Sequence, residues 1–191
     1  MEVYEAIIGR RSIRRFKQWP VSREFLRKLV NAARLAPSAL NLQPCEYVIV
    51  DHPKLLEDVF STLGWASYIA PEGNPKEGER PVAYIVVLVN TKKRETGGEV
   101  DAAAAIENIL LAAYAEGVGT CWIGSVNRER LRGILGIPER CKIDSVIALG
   151  YIADIPVIEE MKDSARYWKD EKGALHVPKR NVQDVLHING Y

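Results

Sequence analysis

Four arginines crowd around one hydroxyl in the stretch Gly9-Arg10-Arg11-Ser12-Ile13-Arg14-Arg15-Phe16. A guanidinium is a planar fork that grips phosphate or carboxylate through two parallel hydrogen bonds, and Ser12 adds a hydroxyl donor to the same anion. The same residues also read as a solvated basic surface. The setting favours a site: the run closes a short apolar helical segment (Val3, Ala6, Ile7) and precedes Trp19-Pro20, where a helix does not readily continue. A cluster held at a helix end can point at one anion.

Other chemistry is not written in the chain. There is no GxxxxGK[ST] phosphate loop. Gly117-x-Gly119 begins like GxGxxG, but Trp122 stands where the third glycine belongs, and the segment follows a helix instead of joining a strand to one. No GxSxG elbow is present. Cys121 has no histidine near it in sequence and reads as a buried structural thiol. His52, His176 and His187 are scattered, so no metal site is expected. The carboxylates form no readable acid–base pair. What is left is an anion grip, a polar loop between Pro37 and Pro44, and a glycine-flanked turn at 117–124. That set suits a bound cofactor bringing its own chemistry.

The elements that must position these groups follow from periodicity and caps. Residues 2–9 suggest a first helix. Ser22 is a plausible N-cap for a second, with Phe25, Leu26, Leu29, Val30, Ala33 and Ala36 at helical spacing and Pro37 as the stop. Ser38 to Gln43 form a shaped polar loop. Tyr47–Val50 reads as a buried strand, and Pro53 opens a helix to about Leu63. Residues 64–81 lack a steady period and read as a mobile surface segment, either a lid or a plain connection. Val82 to Asn90 is the strongest strand signal. Glu99 to Gly117 reads as a helix apolar on nearly all sides, either central or at an interface, with Asp101 and Asn108 on one polar stripe. A helix from Asn127 to Leu135 and a strand at 145–150 follow. After Ala153 the pattern fades.

Length and composition fit one domain with a sizeable core: 191 residues, 47% hydrophobic, formal charge +1. Near-neutral charge suggests no nucleic-acid partner and no acidic-membrane partner. The three cysteines, Cys45, Cys121 and Cys141, form no CxxC, which fits a reducing cytosol. The longest apolar run, Val82 to Val89, is too short to span a bilayer as a helix. No apolar signal core follows the first methionine. A soluble cytoplasmic protein is expected.

The order of motifs resembles the FMN-dependent nitroreductase family. Arg10 to Phe16 is similar to its opening motif, Pro37-Ser38-Ala39-Leu40-Asn41-Leu42-Gln43-Pro44 to its second, and Gly117-Val118-Gly119-Thr120-Cys121-Trp122-Ile123-Gly124 to its third. Ser145 to Tyr151 looks like the strand that follows, and Pro178-Lys179-Arg180 like a basic element near the end. The likeness runs from about residue 2 to 188. It implies an α+β, three-layer fold with a mostly antiparallel mixed sheet flanked by helices. It also implies one domain over 1–191 in an intertwined homodimer, with residues 154–191 an extension embracing the partner subunit.

The resemblance further implies FMN as cofactor and NADH or NADPH as electron donor. Arg10, Arg11, Ser12 and Arg14 would hold the phosphate and reach the ribityl and pyrimidine edge, with Lys179 and Arg180 adding charge. Pro37, Ser38, Ala39 and Asn41 would approach the same flavin from the other subunit. Ile123 and Gly124 would present backbone N–H groups near flavin N5 and O4. Hydride would pass through N5 in two half-reactions, ping-pong, to a nitroaromatic, quinone or related small acceptor. A family asparagine–lysine pair falls only loosely on Asn74 and Lys76. Trp65, Tyr68 and Trp122 stand either in the pocket or in the core. Two other readings stay open: a flavin store or redox sensor without efficient turnover, and a binding module using the arginines for another anion.

Overall fold

The computed structural model describes residues 1–191. Its elements in chain order are α1 (Val3–Gly9), β1 (Phe16–Lys17), α2 (Arg23–Ala33), β2 (Cys45–Val50), α3 (Pro53–Phe60), β3 (Ala83–Asn90), α4 (Gly98–Ala115), β4 (Val118–Ile123), α5 (Arg128–Leu135), β5 (Cys141–Ile152), β6 (Val157–Glu160), β7 (Trp168–Lys169) and β8 (Leu175–Lys179). Single 3-10 turns lie at Ala39–Asn41, Ser67–Ile69 and Val182–Asp184.

Every residue of β3 is buried, which requires cover on both faces of its sheet. Side chains alternate along a strand. Ala83, Ile85, Val87 and Val89 enter a core with Leu26 and Leu29 of α2 and Ala102, Ile106 and Ile109 of α4. Tyr84, Val86 and Leu88 enter a second core with Val59 of α3 and Leu131 of α5. The architecture is therefore three layers, helices on either side of a sheet, as expected. All strand pairs of the main sheet are antiparallel: β5 lies between β3 and β4, β2 pairs the outer side of β3, and β1 continues past β3 along the end of β5. Opposite the step from Val87 to Leu88, β5 carries one extra residue, Asp144. This bulge flips the parity of β5, so that Ile143 shares the second core with Val146 and Ala148.

Helix signals read well at starts and less well at ends. The Ser22 hydroxyl accepts from the Phe25 N–H as the N-cap of α2, and the Asn127 side chain caps α5 in the same way. α2 stops at Ala33 instead of reaching Ala36, because Pro37 disfavours helical geometry in the residue before it and the last turn loosens. α3 ends at Phe60, short of Leu63. β2 is only half-buried apart from Val50, since it is the outer strand of the sheet.

Two segments differ more from expectation. Residues 64–81 are anchored, with Trp65 and Ala66 buried; a Cβ on Gly73 would lie 2.4 Å from the Ala66 Cβ. Residues 157–179 form a second sheet, β6-β8-β7, with β6 parallel to β8. Its strands are two to five residues long, too short to show a period. It lies on its own chain, where Tyr167 meets Tyr68 with ring centroids 4.9 Å apart. No helix is long and apolar enough to cross a membrane.

Candidate functional site

α1 delivers the arginine run. Its packing on α4 is close because Gly9 lacks a side chain: a Cβ there would sit 2.7 Å from the Tyr114 hydroxyl. Beyond Gly9 the chain lies against β4. Ser12 bridges Thr120, and the Ile13 N–H donates to the Thr120 carbonyl at 2.8 Å. Ile13 is buried over Gly119, where a Cβ would come 2.9 Å from Ile13 and equally close to Ile152. Ile13 is thus the anchor of the run.

The four guanidiniums then divide. Arg11 donates to the Ile8 carbonyl at 2.6 Å and to its neighbour's, Arg10, capping the open carbonyls at the end of α1. Burial, and then the Arg10 charge, pull its pKa below the ordinary value. Arg15 pairs with Glu79 at 3.6 Å. The Arg10 Nε lies 3.4 Å from a Glu107 carboxylate oxygen, an ion-pair contact without hydrogen-bond geometry. The guanidinium of Arg14 rests over the Tyr167 ring, 5.1 Å from its centroid, and its buried Nε is unpartnered.

Arg10, Arg11 and Arg14 line a cavity of about 250 Å³ with Ser12, Tyr167, Val177 and Lys179. A second cavity, of about 420 Å³, adjoins it. Arg14 and Tyr167 belong to both walls, so the two chambers form one groove. Trp65, Trp122, Ile123 and Gly124 wall the second chamber. Trp65 stacks on Phe60 with centroids 5.6 Å apart. Trp122 donates its indole N–H to the Ser145 hydroxyl at 2.9 Å, and that hydroxyl donates to Asp144 at 2.8 Å. The Gly124 N–H makes no hydrogen bond within the chain. The turn carrying it is fixed by Arg128, which donates to the Gly124 carbonyl at 3.2 Å and to the Asp144 carbonyl at 2.8 Å. Burial pushes the Cys121 thiol up, so it is a wall residue and not a nucleophile.

The expected residues separate into two groups. Arg10, Arg11, Ser12, Arg14, Ile123, Gly124 and Lys179 share the groove. Arg180 does not: it donates to the Asp184 carbonyl in the following turn. Pro37, Ser38, Ala39 and Asn41 lie elsewhere on this chain. Pro37 and Ser38 line a separate cavity of about 170 Å³ with Asp101 and Tyr47. The Ser38 hydroxyl donates to Asp101 at 3.2 Å and the Ala39 N–H does so at 3.3 Å, while Arg94 reaches both Asp101 oxygens at 2.8 Å. Burial opposes the charge on Asp101, but these hydrogen bonds, Arg94 foremost, outweigh it and hold the carboxyl below the usual range. Leu40, Asn41 and Gln43 all have positive φ (53°, 55° and 48°), a tightly constrained loop. Asn74 and Lys76 are exposed and outside the groove.

Tyr167 and Arg128 escaped the sequence reading. The pair Tyr167-Trp168, two aromatics in a stretch without core pattern, was the available signal for the first. Nothing local marked Arg128, whose acceptors are up to 16 residues away.

As a receptor, the groove joins unspent cationic donors at one end to flat aromatic walls and a free N–H at the other. A phosphorylated, planar heteroaromatic ligand fits that combination.

Known proteins agree. The sequence profile of the Nitroreductase family matches residues 7–151. An Archaeoglobus fulgidus protein, provisionally named an NADH dehydrogenase/NAD(P)H nitroreductase, is 36% identical over 160 residues, covering 80% of this chain and 87% of that one. The crystal structure of a nitroreductase family protein from Clostridium novyi superposes with a TM-score of 0.67 at 31% identity, covering 80% and 87% of the two chains. A provisionally assigned nitroreductase from Desulfovibrio desulfuricans, solved in complex with FMN, superposes with a TM-score of 0.70 at 25% identity over 100% and 98% of the chains. The chain belongs to the Nitroreductase family.

Proposed function

We propose that this protein is an FMN-dependent oxidoreductase. It takes hydride equivalents from NADH or NADPH and delivers them to a small acceptor such as a nitroaromatic or a quinone. The observation that carries the reading is the two-chambered groove, with Arg10, Arg14 and Lys179 at one end, Arg14 having no carboxylate partner, and the free Gly124 N–H at the other. The FMN complex of the Desulfovibrio relative points the same way.

Arg10, Arg14, Ser12 and Lys179 would hold the phosphate and the chain leading from it, while Trp65, Trp122, Ile123 and Gly124 would flank the ring. When bound, FMN supplies a ring system that accepts hydride from a nicotinamide and returns it to an oxidised substrate. The protein contributes placement and charge. Arg14 lines both chambers, and its charge would favour electron density on a ring bound beside it. The Gly124 N–H would orient an acceptor atom placed beside it. One chamber open to solvent suits donor and acceptor binding in turn, in ping-pong order.

The active form is proposed to be a homodimer. Val3, Tyr4, Ile7 and Ile8 form an exposed apolar face on α1, the kind of contiguous patch that marks an interaction surface. A second copy would also bring its Pro37–Asn41 loop to the groove, giving that constrained loop a role its place in one chain does not supply. Residues 180–191, exposed throughout, would extend the contact.

The test is a visible spectrum of purified protein supplemented with FMN, before and after anaerobic NADH or NADPH. A bound-flavin spectrum that bleaches with nicotinamide and recovers with a quinone or nitroaromatic is expected. A flavin that neither nicotinamide reduces would favour storage or sensing. No uptake of FMN would overturn the reading.

A further inference from the structure

We propose that Trp65 is a cofactor-binding residue whose indole N–H donates to an acceptor atom on the ring edge of the flavin. The inference rests on the flavin reading above and adds a donor that the arginine and glycine motifs do not contain.

The starting observation is an unfinished hydrogen bond. Trp65 is 7% exposed, and its Nε1–H meets no acceptor in the chain. Buried donors are normally paired. Trp122 and Trp168, 41% and 44% exposed, find partners within the chain all the same: Trp122 donates to Ser145 at 2.9 Å and Trp168 to Glu159 at 2.8 Å. Trp19, more than half exposed, has water.

The second observation is position. Leu63 pairs antiparallel with Val126, and the Gly64 N–H donates to the Ser125 carbonyl at 2.8 Å. One step further along each segment puts Trp65 beside Gly124. These neighbours therefore bring two unspent donors to the wall of one chamber. The indole ring is held by its stack on Phe60. The segment is also pinned by the Asn127 N–H, which donates to the Thr62 carbonyl at 2.8 Å. An indole N–H can only donate, so its partner must carry a lone pair. The carbonyl oxygens and ring nitrogens along a flavin edge supply such lone pairs; a purely carbocyclic ring would not.

The experiment compares wild-type apoprotein with Trp65→Phe, which keeps a flat apolar ring and deletes the donor. FMN is titrated by quenching of its fluorescence, and each apoprotein is melted. The dissociation constant of Trp65→Phe should rise about two- to tenfold, the range of one net hydrogen bond. Its apoprotein should melt somewhat below wild type, because phenylalanine leaves part of the indole's buried volume unfilled, so the affinities are compared at a temperature where both proteins are folded. In parallel, indole ¹H–¹⁵N spectra of the wild type are recorded with and without FMN. The Trp65 resonance is assigned by elimination from Trp19→Phe, Trp122→Phe and Trp168→Phe, and it should move downfield on binding. This measurement decides the matter even where Trp65→Phe fails to fold. Equal FMN affinity in Trp65→Phe, or an unmoved Trp65 resonance in protein that binds FMN, would overturn the proposal while leaving the flavin reading intact. Wild-type protein that takes up no FMN would overturn both.

Discussion

Removing Arg14 and removing Arg10 should damage flavin binding in different ways. Both line the phosphate chamber, but only Arg14 also walls the ring chamber. The Arg10 cation already faces Glu107, and the two side chains are 25% and 44% exposed, so solvent and the carboxylate screen it. A hydrogen bond to a charged group contributes about 1.5–3 kcal/mol where it is shielded, or roughly a 10- to 150-fold change in dissociation constant. Arg14→Ala is expected inside that range for FMN. Arg10→Ala is expected at its lower end, about tenfold. Riboflavin, which has the ring and ribityl chain without the phosphate, separates the contributions. Arg10→Ala should leave riboflavin binding unchanged, whereas Arg14→Ala should weaken riboflavin as well as FMN. Fluorescence-quenching titrations of both ligands on wild type and the two variants measure all six constants. Arg14→Lys should fall between, because it keeps the charge and loses the planar stack on Tyr167. If Arg14→Ala weakened FMN alone and spared riboflavin, Arg14 would be a phosphate contact only and the two-chamber reading would fail. FMN affinity within twofold of wild type in both variants would remove the arginine cluster from the site altogether.

Other predictions follow from the packing. Gly119→Ala forces a methyl within 2.9 Å of Ile13 and Ile152, so it should lower stability by about 1–3 kcal/mol, read from urea denaturation; an unchanged midpoint would show that Ile13 is not held as described. Asp101→Ala removes the acceptor of Arg94, Ser38 and Ala39 and should cost about 3 kcal/mol, the lower end for a broken buried pair, since Arg94 is partly exposed. The pKa of Asp101 is depressed in the folded state, so its contribution is complete above the unfolded value near 3.9 and is lost as pH falls through the folded one. Wild type should therefore lose its advantage over Asp101→Asn in acid melts below about pH 3.9, and a constant difference across that window would contradict the assignment. Ile7→Asp places a charge on the exposed α1 face and should shift sedimentation from dimer toward monomer with loss of FMN affinity; a wild-type protein already monomeric at micromolar concentration would refute the proposed assembly.

What could be read from the chain divides along the range of the interactions involved. The Ser22 cap and Gly117, which has positive φ, act within a few residues of themselves and mark the start of α2 and the end of α4. The eight-residue run of β3 announced itself because burial on both faces leaves no polar position. Tyr167 is different. Its partners, Arg14 and Tyr68, lie 153 and 99 residues away in sequence, and the small sheet that presents it is built from strands too short to carry a pattern. Arg128 is silent for a related reason, since its acceptors are all backbone carbonyls, which every residue has.

The arginine run itself carries the main lesson about site assignment. In sequence its four members are equivalent, and the motif alone gives Arg11 the same rank as Arg14. The fold breaks that equivalence through one turn of backbone. α1 ends at Gly9, with Arg10 already extended (φ −59°, ψ 135°), so the open carbonyls of its last turn fall under the next long cation, and Arg11 is consumed by Ile8 and Arg10. Ile13 is drawn onto Gly119, which sends Arg14 toward Tyr167, while Arg15 meets Glu79. Three of the four cations are thereby paired or spent as structure, Arg10 through its contact with Glu107, and Arg14 alone keeps a guanidinium with neither a carboxylate nor a carbonyl partner. Substituting Arg11 should therefore show first as a fraying of α1 and only second as a loss of anion affinity, the reverse of the order expected for Arg14.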